Sequence, residues 1–175
     1  MLMSWSYVLA ILIFVCQPTL ATLAPRMHSI LGQISGSISQ GSDAAEAATY
    51  NNKLSLEVLY LVRSGPTFGG RYLIESRNEN ESTSGQAYGP MAGYYFENGA
   101  FILVAYDVLA KQGRWTNGEG FEFSAGYLEH IGDQIHIGGR LSSRRIRYKT
   151  DVTNNLAIQK DVTDQYPSLV LMYLF

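Results

Sequence analysis

The chain is poor in cysteine, in charge and in long apolar runs, and each shortage excludes a class of protein. One cysteine among 175 residues excludes an internal disulfide framework, and no Cys/His spacing indicates a structural zinc site. Charged residues make up 16% of the chain, against about 25% in typical soluble domains. The 13 Lys and Arg do not outnumber the 15 Asp and Glu, so a strong electrostatic attraction to nucleic acid is excluded. The chain is instead rich in glycine and tyrosine, with seventeen and twelve residues respectively.

The longest apolar run, Tyr7–Cys16, is too short for a membrane-spanning helix, which needs about 20 residues. It has the length of the apolar core of a signal peptide, and small residues follow it. Thr19 and Ala21 suit the positions three before and one before a cleavage site, so we expect a signal peptide over residues 1–21. Cleavage after Ala24 is one alternative, a lipid anchor on Cys16 is another, and an uncleaved helix is the third.

After residue 22 the apolar residues recur with a period of two rather than 3.6, which indicates strands rather than helices. In one such segment Leu54, Leu56 and Val58 alternate with Ser55 and Glu57. Eight segments of about ten residues show this pattern. Long polar stretches follow the odd-numbered segments and short turns follow the even-numbered ones, which predicts an antiparallel up-and-down meander. The long stretches are 40–52, 78–87, 111–120 and 149–164, and the turns are Ser64–Gly70, Glu97–Gly99 and Gly132–Gln134.

The two faces of the predicted strands differ in composition. One is rich in Tyr, Phe, Ile, Val and Leu, whereas the other is small or polar and carries charges near the strand centres. Eight strands leave an interior that side chains just fill. A soluble barrel would place glycines on its exposed outer face, which stabilises strands poorly. Strands of this length with aromatic residues toward their ends suit a bilayer instead. We therefore predict an all-β fold over residues 28–175: an eight-stranded antiparallel up-and-down transmembrane β-barrel with a polar, side-chain-filled lumen. A soluble lipocalin-like ligand-binding barrel is the alternative.

The last segment, Pro167–Phe175, ends in Phe and carries apolar or aromatic residues at every second position before it. With the leader and the loop pattern, it resembles the small eight-stranded outer-membrane β-barrel proteins of bacteria, typified by OmpX and the OmpA membrane domain. The resemblance implies an outer-membrane location, contact with membrane lipid and lipopolysaccharide, and a structural or surface-interaction role. We expect a monomer without an open pore or a cofactor. The resemblance also implies that the barrel-assembly machinery reads Tyr173 and Phe175.

Turn chemistry predicts how the strands pair and which charges point inward. A three-residue loop over Glu97–Gly99, with its glycine left-handed, pairs Phe96 with Ala100 and turns Asp107 away from lipid, where a charge costs a few kcal/mol. A two-residue loop would pair Phe96 with Phe101 instead.

The turn over Gly132–Gln134 places Glu122 opposite Arg144, which predicts a buried ion pair. We predict that this pair belongs to a lumen charge network whose balanced signs favour a plug over an ion-selective pore. The network comprises Glu57, Arg63, Arg71, Glu75, Arg77, Asp107, Glu122, Arg140 and Arg144.

The same turn places His130 opposite His136. Glu129 points to the other face, which leaves two ligands where zinc normally takes at least three, so we predict hydrogen-bonded histidines near the periplasmic mouth and no metal site. His136 and Ser142 are about 20 Å apart along one strand, too far to act together. No catalytic residue is predicted, and a lipid A-modifying barrel enzyme is kept as an alternative.

Four basic residues, Arg144, Arg145, Arg147 and Lys149, lie at the loop end of the seventh strand. In the implied orientation this end is the outer surface. Because Arg binds phosphate well, we predict contact with the phosphates of lipopolysaccharide, with a solvated strand end as the alternative.

Overall fold

The computed structural model is a closed barrel of eight antiparallel strands, paired in chain order with β8 returning to β1. It describes residues 29–41, 49–62, 65–78, 82–153 and 156–175. The predicted signal peptide and both candidate cleavage sites lie outside these residues. The strands are β1 (Ser29–Gly41), β2 (Thr49–Leu61), β3 (Pro66–Asn78), β4 (Ser82–Tyr95), β5 (Ala100–Gln112), β6 (Trp115–Gly132), β7 (Ile135–Asp151) and β8 (Leu156–Leu174). The all-β, eight-stranded meander is therefore confirmed.

Three stretches predicted as long loops are mostly strand. Only residues 113 and 114 separate β5 from β6, and β4 begins at Ser82. β7 continues to Asp151 and β8 begins at Leu156, so that these strands have 17 and 19 residues. The sequence hid these extensions because their outward residues, such as Gln86, Glu119 and Asp161, are mostly polar or small, so that the apolar outer face stops.

Inside and outside alternate along each strand as the two faces predict. Leu56 and Val58 are 43% and 63% exposed, whereas Glu57 between them is 2% exposed. The outer surface is formed largely by big apolar side chains. Those of the first four strands are Ile30, Ile34, Ile38, Leu54, Leu56, Val58, Phe68, Tyr72, Ile74 and Tyr88. Those of the last four are Ile102, Val104, Val108, Leu109, Phe121, Phe123, Ile131, Ile135, Ile137, Leu141, Leu169, Leu171 and Tyr173.

The turn between β4 and β5 has the predicted three-residue form. The N–H of Phe96 donates to the carbonyl oxygen of Ala100 at 2.8 Å, and Gly99 donates back to Phe96 at 3.0 Å. Gly99 has φ 86°, a left-handed conformation that favours glycine, and a Cβ there would collide with the carbonyl oxygen of Leu128. Asp107 consequently points inward and is fully buried.

A β-bulge in β5 reverses the inside-outside alternation near the loop end. The register against β4 shifts between Tyr88 and Met91. Val108 and Leu109 are both exposed, and burial resumes at Ala110. Before the bulge the odd-numbered residues of β5, such as Asp107, point inward. After it the even-numbered residues, such as Ala110 and Gln112, do so.

One edge of β8 is unpaired over much of its length. The β1–β8 ladder joins Leu31–Gly36 to Leu169–Leu174 and stops there. The N–H of Phe175 donates to Ile30 of β1, and that of Leu174 donates to Gln134 on the β7 side, so odd-numbered residues of β8 face β1. Pro167 is the next odd-numbered residue after the ladder ends, and it lacks the N–H that would continue it. Within the described chain, no strand covers this edge of β8 from Leu156 to Ser168.

Candidate functional site

The middle of the barrel interior holds a group of charged side chains, which we call the central charge cluster. Five are cations and five are anions, so their formal charges cancel, and they come from six of the eight strands. The members are Lys53, Arg71, Arg77, Arg140 and Arg144 with Glu57, Glu75, Asp107, Glu122 and Asp164.

Asp107 bridges two arginines at the centre of the cluster. Arg71 donates from Nη2 to Oδ1 of Asp107 at 2.8 Å, and Arg144 donates from Nε to Oδ2 at 2.9 Å. The outer nitrogens of the same guanidinium groups reach further carboxylates: Arg71 Nη1 lies 2.6 Å from Glu122, and Arg144 Nη1 lies 3.1 Å from Glu75. The result is a chain of alternating charges across the barrel.

Two smaller groups lie at either end of this chain. Toward the turns, Arg140 donates from Nη1 to Oε1 of Glu57 at 2.7 Å. Toward the loops, Lys53 donates from Nζ to Oδ2 of Asp164 at 2.9 Å, and Arg77 pairs with the same oxygen. Asp164 thereby connects β8 to β2 and β3 across the gap that its unpaired edge leaves.

Neutral hydrogen bonds and glycine support part of the buried ion network. Hydrogen bonds to the remaining polar atoms stabilise such a network, although Oε2 of Glu57 and Nη2 of Arg144 have no hydrogen-bond partner among the described residues. Glu122 additionally accepts from the hydroxyls of Tyr166, at 2.7 Å, and Ser124, at 3.1 Å. Glycine provides room, because a Cβ on Gly85 would lie 2.6 Å from Cγ of Glu75.

Apolar side chains close the interior on both sides of the charges, so the expected polar character holds only for the middle layer. The turn-end cluster contains Leu31, Leu59, Met91, Tyr95, Phe101, Leu103, Ala105, Leu128, Val170 and Met172. The loop-end cluster contains Leu73, Ala87, Ala110, Ile146 and Tyr148. A charge-balanced layer between two apolar layers is suited to filling the barrel.

The structure brings together eight of the nine residues predicted for the charge network, and the ninth, Arg63, lies outside the described residues. The predicted Glu122–Arg144 ion pair is wrong. These residues are opposite in the β6–β7 ladder, but the long arginine reaches across the barrel to Asp107. Sequence reasoning missed Lys53 and Asp164 because it assigned both to the edges of loops. For Lys53 a signal was available: it lies two positions before Ser55 and four before Glu57, so it falls on the same inward face of β2.

The basic strand end divides between the two faces of β7. Arg144 is buried in the central charge cluster, so its expected contact with lipopolysaccharide is wrong. Arg145 and Arg147 are exposed, and both donate to Asp161 of β8, at 2.8 Å each. These two hydrogen bonds hold the pKa of Asp161 well below its usual range. Lys149 pairs with Glu119 of β6 at 2.6 Å, so this surface is a ladder of ion pairs.

The two histidines form the predicted hydrogen-bonded pair. Nδ1 of His130 and Nε2 of His136 are 3.2 Å apart, with ring centroids at 4.9 Å. Within the described ranges, no three His, Cys, Asp or Glu side chains gather as metal ligands would.

The terminal aromatic residues lie on the outer surface at the turn end. The rings of Tyr173 and Phe175 pack edge to face with centroids 4.7 Å apart. The Phe175 ring covers Gly32 of β1, where a Cβ would lie 3.2 Å from it. Both side chains are accessible, at 39% and 72% exposure.

Comparison with known proteins adds no relative. No protein-family model matches the chain, and no curated protein matches it either. In the described part of the chain, no helix is long and apolar enough to cross a membrane.

Proposed function

We propose that the chain is an integral outer-membrane β-barrel protein of the bacterial envelope, with a filled interior and a structural or surface-interaction role. The observation that carries this proposal is the inversion of polarity between the two faces of the barrel. Buried charges such as Glu57 and Arg140 lie inside, while large apolar side chains surround the outside. In water, exposed apolar patches on monomeric proteins rarely exceed a few hundred Å². In the hydrocarbon core of a membrane such a surface is not exposed to water, so its size carries no hydrophobic penalty.

The height of the outer apolar surface supports a bilayer. On β1 the outward apolar residues extend from Ile30 to Ile38, which is nine residues, and on β3 from Phe68 to Ile74. About nine residues at roughly 3.3 Å each, tilted by about 40°, rise about 23 Å. This height matches the apolar band of about 25 Å that outer-membrane barrels present to lipid.

The extensions of β6, β7 and β8 support the surface-interaction role. Beyond Leu141 the outward residues of β7 are Ser143, Arg145, Arg147 and Lys149, so the sheet continues past the apolar band with a polar face. There the uncovered edge of β8 presents backbone N–H and C=O groups. An unpaired edge is a template for strand addition by an extended peptide of another protein.

Cell fractionation followed by gel electrophoresis tests the proposal. The protein is expected in the outer-membrane fraction, where the unboiled sample migrates differently from the boiled one because the folded barrel resists detergent. Recovery in the soluble fraction without detergent would favour the soluble ligand-binding barrel and overturn the proposal.

A further inference from the structure

Three potential soft-metal ligands lie in one row across β6, β7 and β8 at the turn end of the barrel. His130 is directly opposite His136, and His136 is directly opposite Met172. Side chains at directly opposite positions have Cβ atoms about 4.5–5.5 Å apart, so all three can reach a common point. The site lies apart from the central charge cluster and has no part in the proposed function.

The distance between the two imidazoles suits a bound cation. Nδ1 of His130 and Nε2 of His136 are 3.2 Å apart. Metal–imidazole bonds are about 2.0–2.1 Å long, so an ion bound to both nitrogens would subtend an angle of about 100°, close to tetrahedral. Both facing nitrogens must then be free of hydrogen. While the rings are neutral, the shared hydrogen moves to the other nitrogen of its ring, and no proton is released.

The third ligand and the charges decide which ion fits. Thioether sulfur is a soft donor that selects Cu(I), and imidazole also binds copper. His130, His136 and Met172 are all uncharged donors, and they would leave the charge of a divalent ion uncompensated in a site where His136 is 3% and Met172 0% exposed. A monovalent soft cation leaves half of that charge, and its burial therefore costs much less. The exposed His130 side chain gives an ion access from the mouth.

We propose that His130, His136 and Met172 form a Cu(I) site at the turn-end mouth of the barrel. A histidine pair alone offers two ligands, which is why sequence reasoning excluded a metal here. The methionine that completes the set is 36 positions further along the chain, and only the β7–β8 register places it beside the pair.

Competition for Cu(I) against a chromophoric chelator tests the site, on the folded full-length chain in detergent under reducing conditions, with Cys16→Ser in every sample so that no thiol competes. We expect one equivalent to bind. Loss of a partner that merely orients a ligand costs about 10–100-fold in affinity, so His130→Asn and Met172→Leu are each expected to weaken binding at least about tenfold. Leu replaces Met with little change in volume, which preserves the apolar cluster. Met91→Leu is the matched control, since Met91 belongs to the same cluster but pairs with Ala105, outside the row.

X-ray absorption at the copper edge supplies a direct readout of the sulfur ligand. A Cu–S contribution is expected in the wild type and in Met91→Leu, and it should be absent in Met172→Leu. Gel migration of unboiled samples shows that each variant is folded. Wild-type affinity in folded Met172→Leu, or Zn²⁺ binding as tight as Cu(I), would overturn the proposal, as would the absence of Cu(I) binding by the wild type.

Discussion

Asp107 of β5 and Arg144 of β7 meet inside the barrel, with β6 between their strands, and the arginine Nε lies 2.9 Å from Oδ2. The other carboxylate oxygen of Asp107 accepts from Arg71. One fully buried anion therefore compensates two guanidinium groups, and its loss would leave both without their shared partner.

Asp107→Asn should consequently destabilise the barrel far more than removal of an exposed anion. Breaking a buried ion pair on one side typically costs about 3–5 kcal/mol, because the remaining charge stays buried. Asp161→Asn is the matched control, since Asp161 also bridges two arginines but lies at the exposed strand end, where such pairs contribute about 0–1 kcal/mol. Urea unfolding in micelles measures both values, and similar losses in the two variants would contradict a buried central cluster.

A charge introduced on the outer surface distinguishes lipid from water. Leu56 lies within the apolar band, and Leu56→Arg is expected to destabilise the barrel folded in vesicles by about 2–4 kcal/mol, as charges near the bilayer midplane do. Thr163→Arg is exposed on β8 beyond the band, and about 0–1 kcal/mol is expected there. A Leu56→Arg variant that folds as stably as the wild type would argue against a lipid-facing surface.

The fold could be predicted from the sequence wherever one strand face is apolar. Leu56 and Val58 defined the outside of β2, and the need to turn Asp107 away from lipid selected the three-residue turn between β4 and β5. Prediction failed where the pattern carries no such contrast. The extension of β8 to Leu156 has only small or polar residues on its outward face, and the bulge at Val108–Leu109 leaves two adjacent apolar residues outside.

The site shows the same division between local and long-range information. Strand parity sufficed to identify most of the inward charges, because burial follows the period of two. The partner of Arg144 could not be predicted from register, because its guanidinium passes its ladder neighbour Glu122 and binds Asp107 instead. Which charges pair inside a barrel depends on side-chain length and on the cross-section of the closed sheet.

If lipopolysaccharide binds at this strand end, its phosphates compete with Asp161 for the exposed Arg145 and Arg147. The double variant Arg145→Ala/Arg147→Ala is expected to reduce the lipopolysaccharide that co-purifies with the protein, because both guanidinium groups that could bind phosphate are lost. Asp161→Asn should increase it, because each guanidinium then lacks its carboxylate partner. Phosphate analysis of purified samples measures both changes. Unchanged lipopolysaccharide in all variants would contradict a role for this surface in lipid binding.

A variant at Phe175 distinguishes a role in assembly in cells from a role in the stability of the folded barrel. Phe175→Ala removes a side chain that is 72% exposed, so refolding in detergent should change little. If the assembly machinery reads the terminal aromatic residue, the amount of folded barrel in the outer membrane falls while refolding is preserved. Quantitative gels of membrane fractions and of refolded protein measure the two quantities. Leu169→Ala, which removes an outward apolar side chain on the same strand, is the control.

Hydrogen exchange should reveal the uncovered edge of β8 residue by residue. Even-numbered amides in this strand point toward β7, so those of Val162, Asp164 and Tyr166 are expected to be protected. The amides of Thr163 and Gln165 face the open edge and should exchange rapidly, because no strand of the described chain accepts their hydrogens. Beyond Pro167 the alternation should disappear, since Leu169 and Leu171 are paired with β1 on that side. Amide exchange measured by NMR in micelles resolves these positions. Protection of Thr163 and Gln165 equal to that of their neighbours would mean that another strand already covers the edge. Slowing of those two amides alone, on addition of an envelope protein, would identify a partner that binds by strand addition.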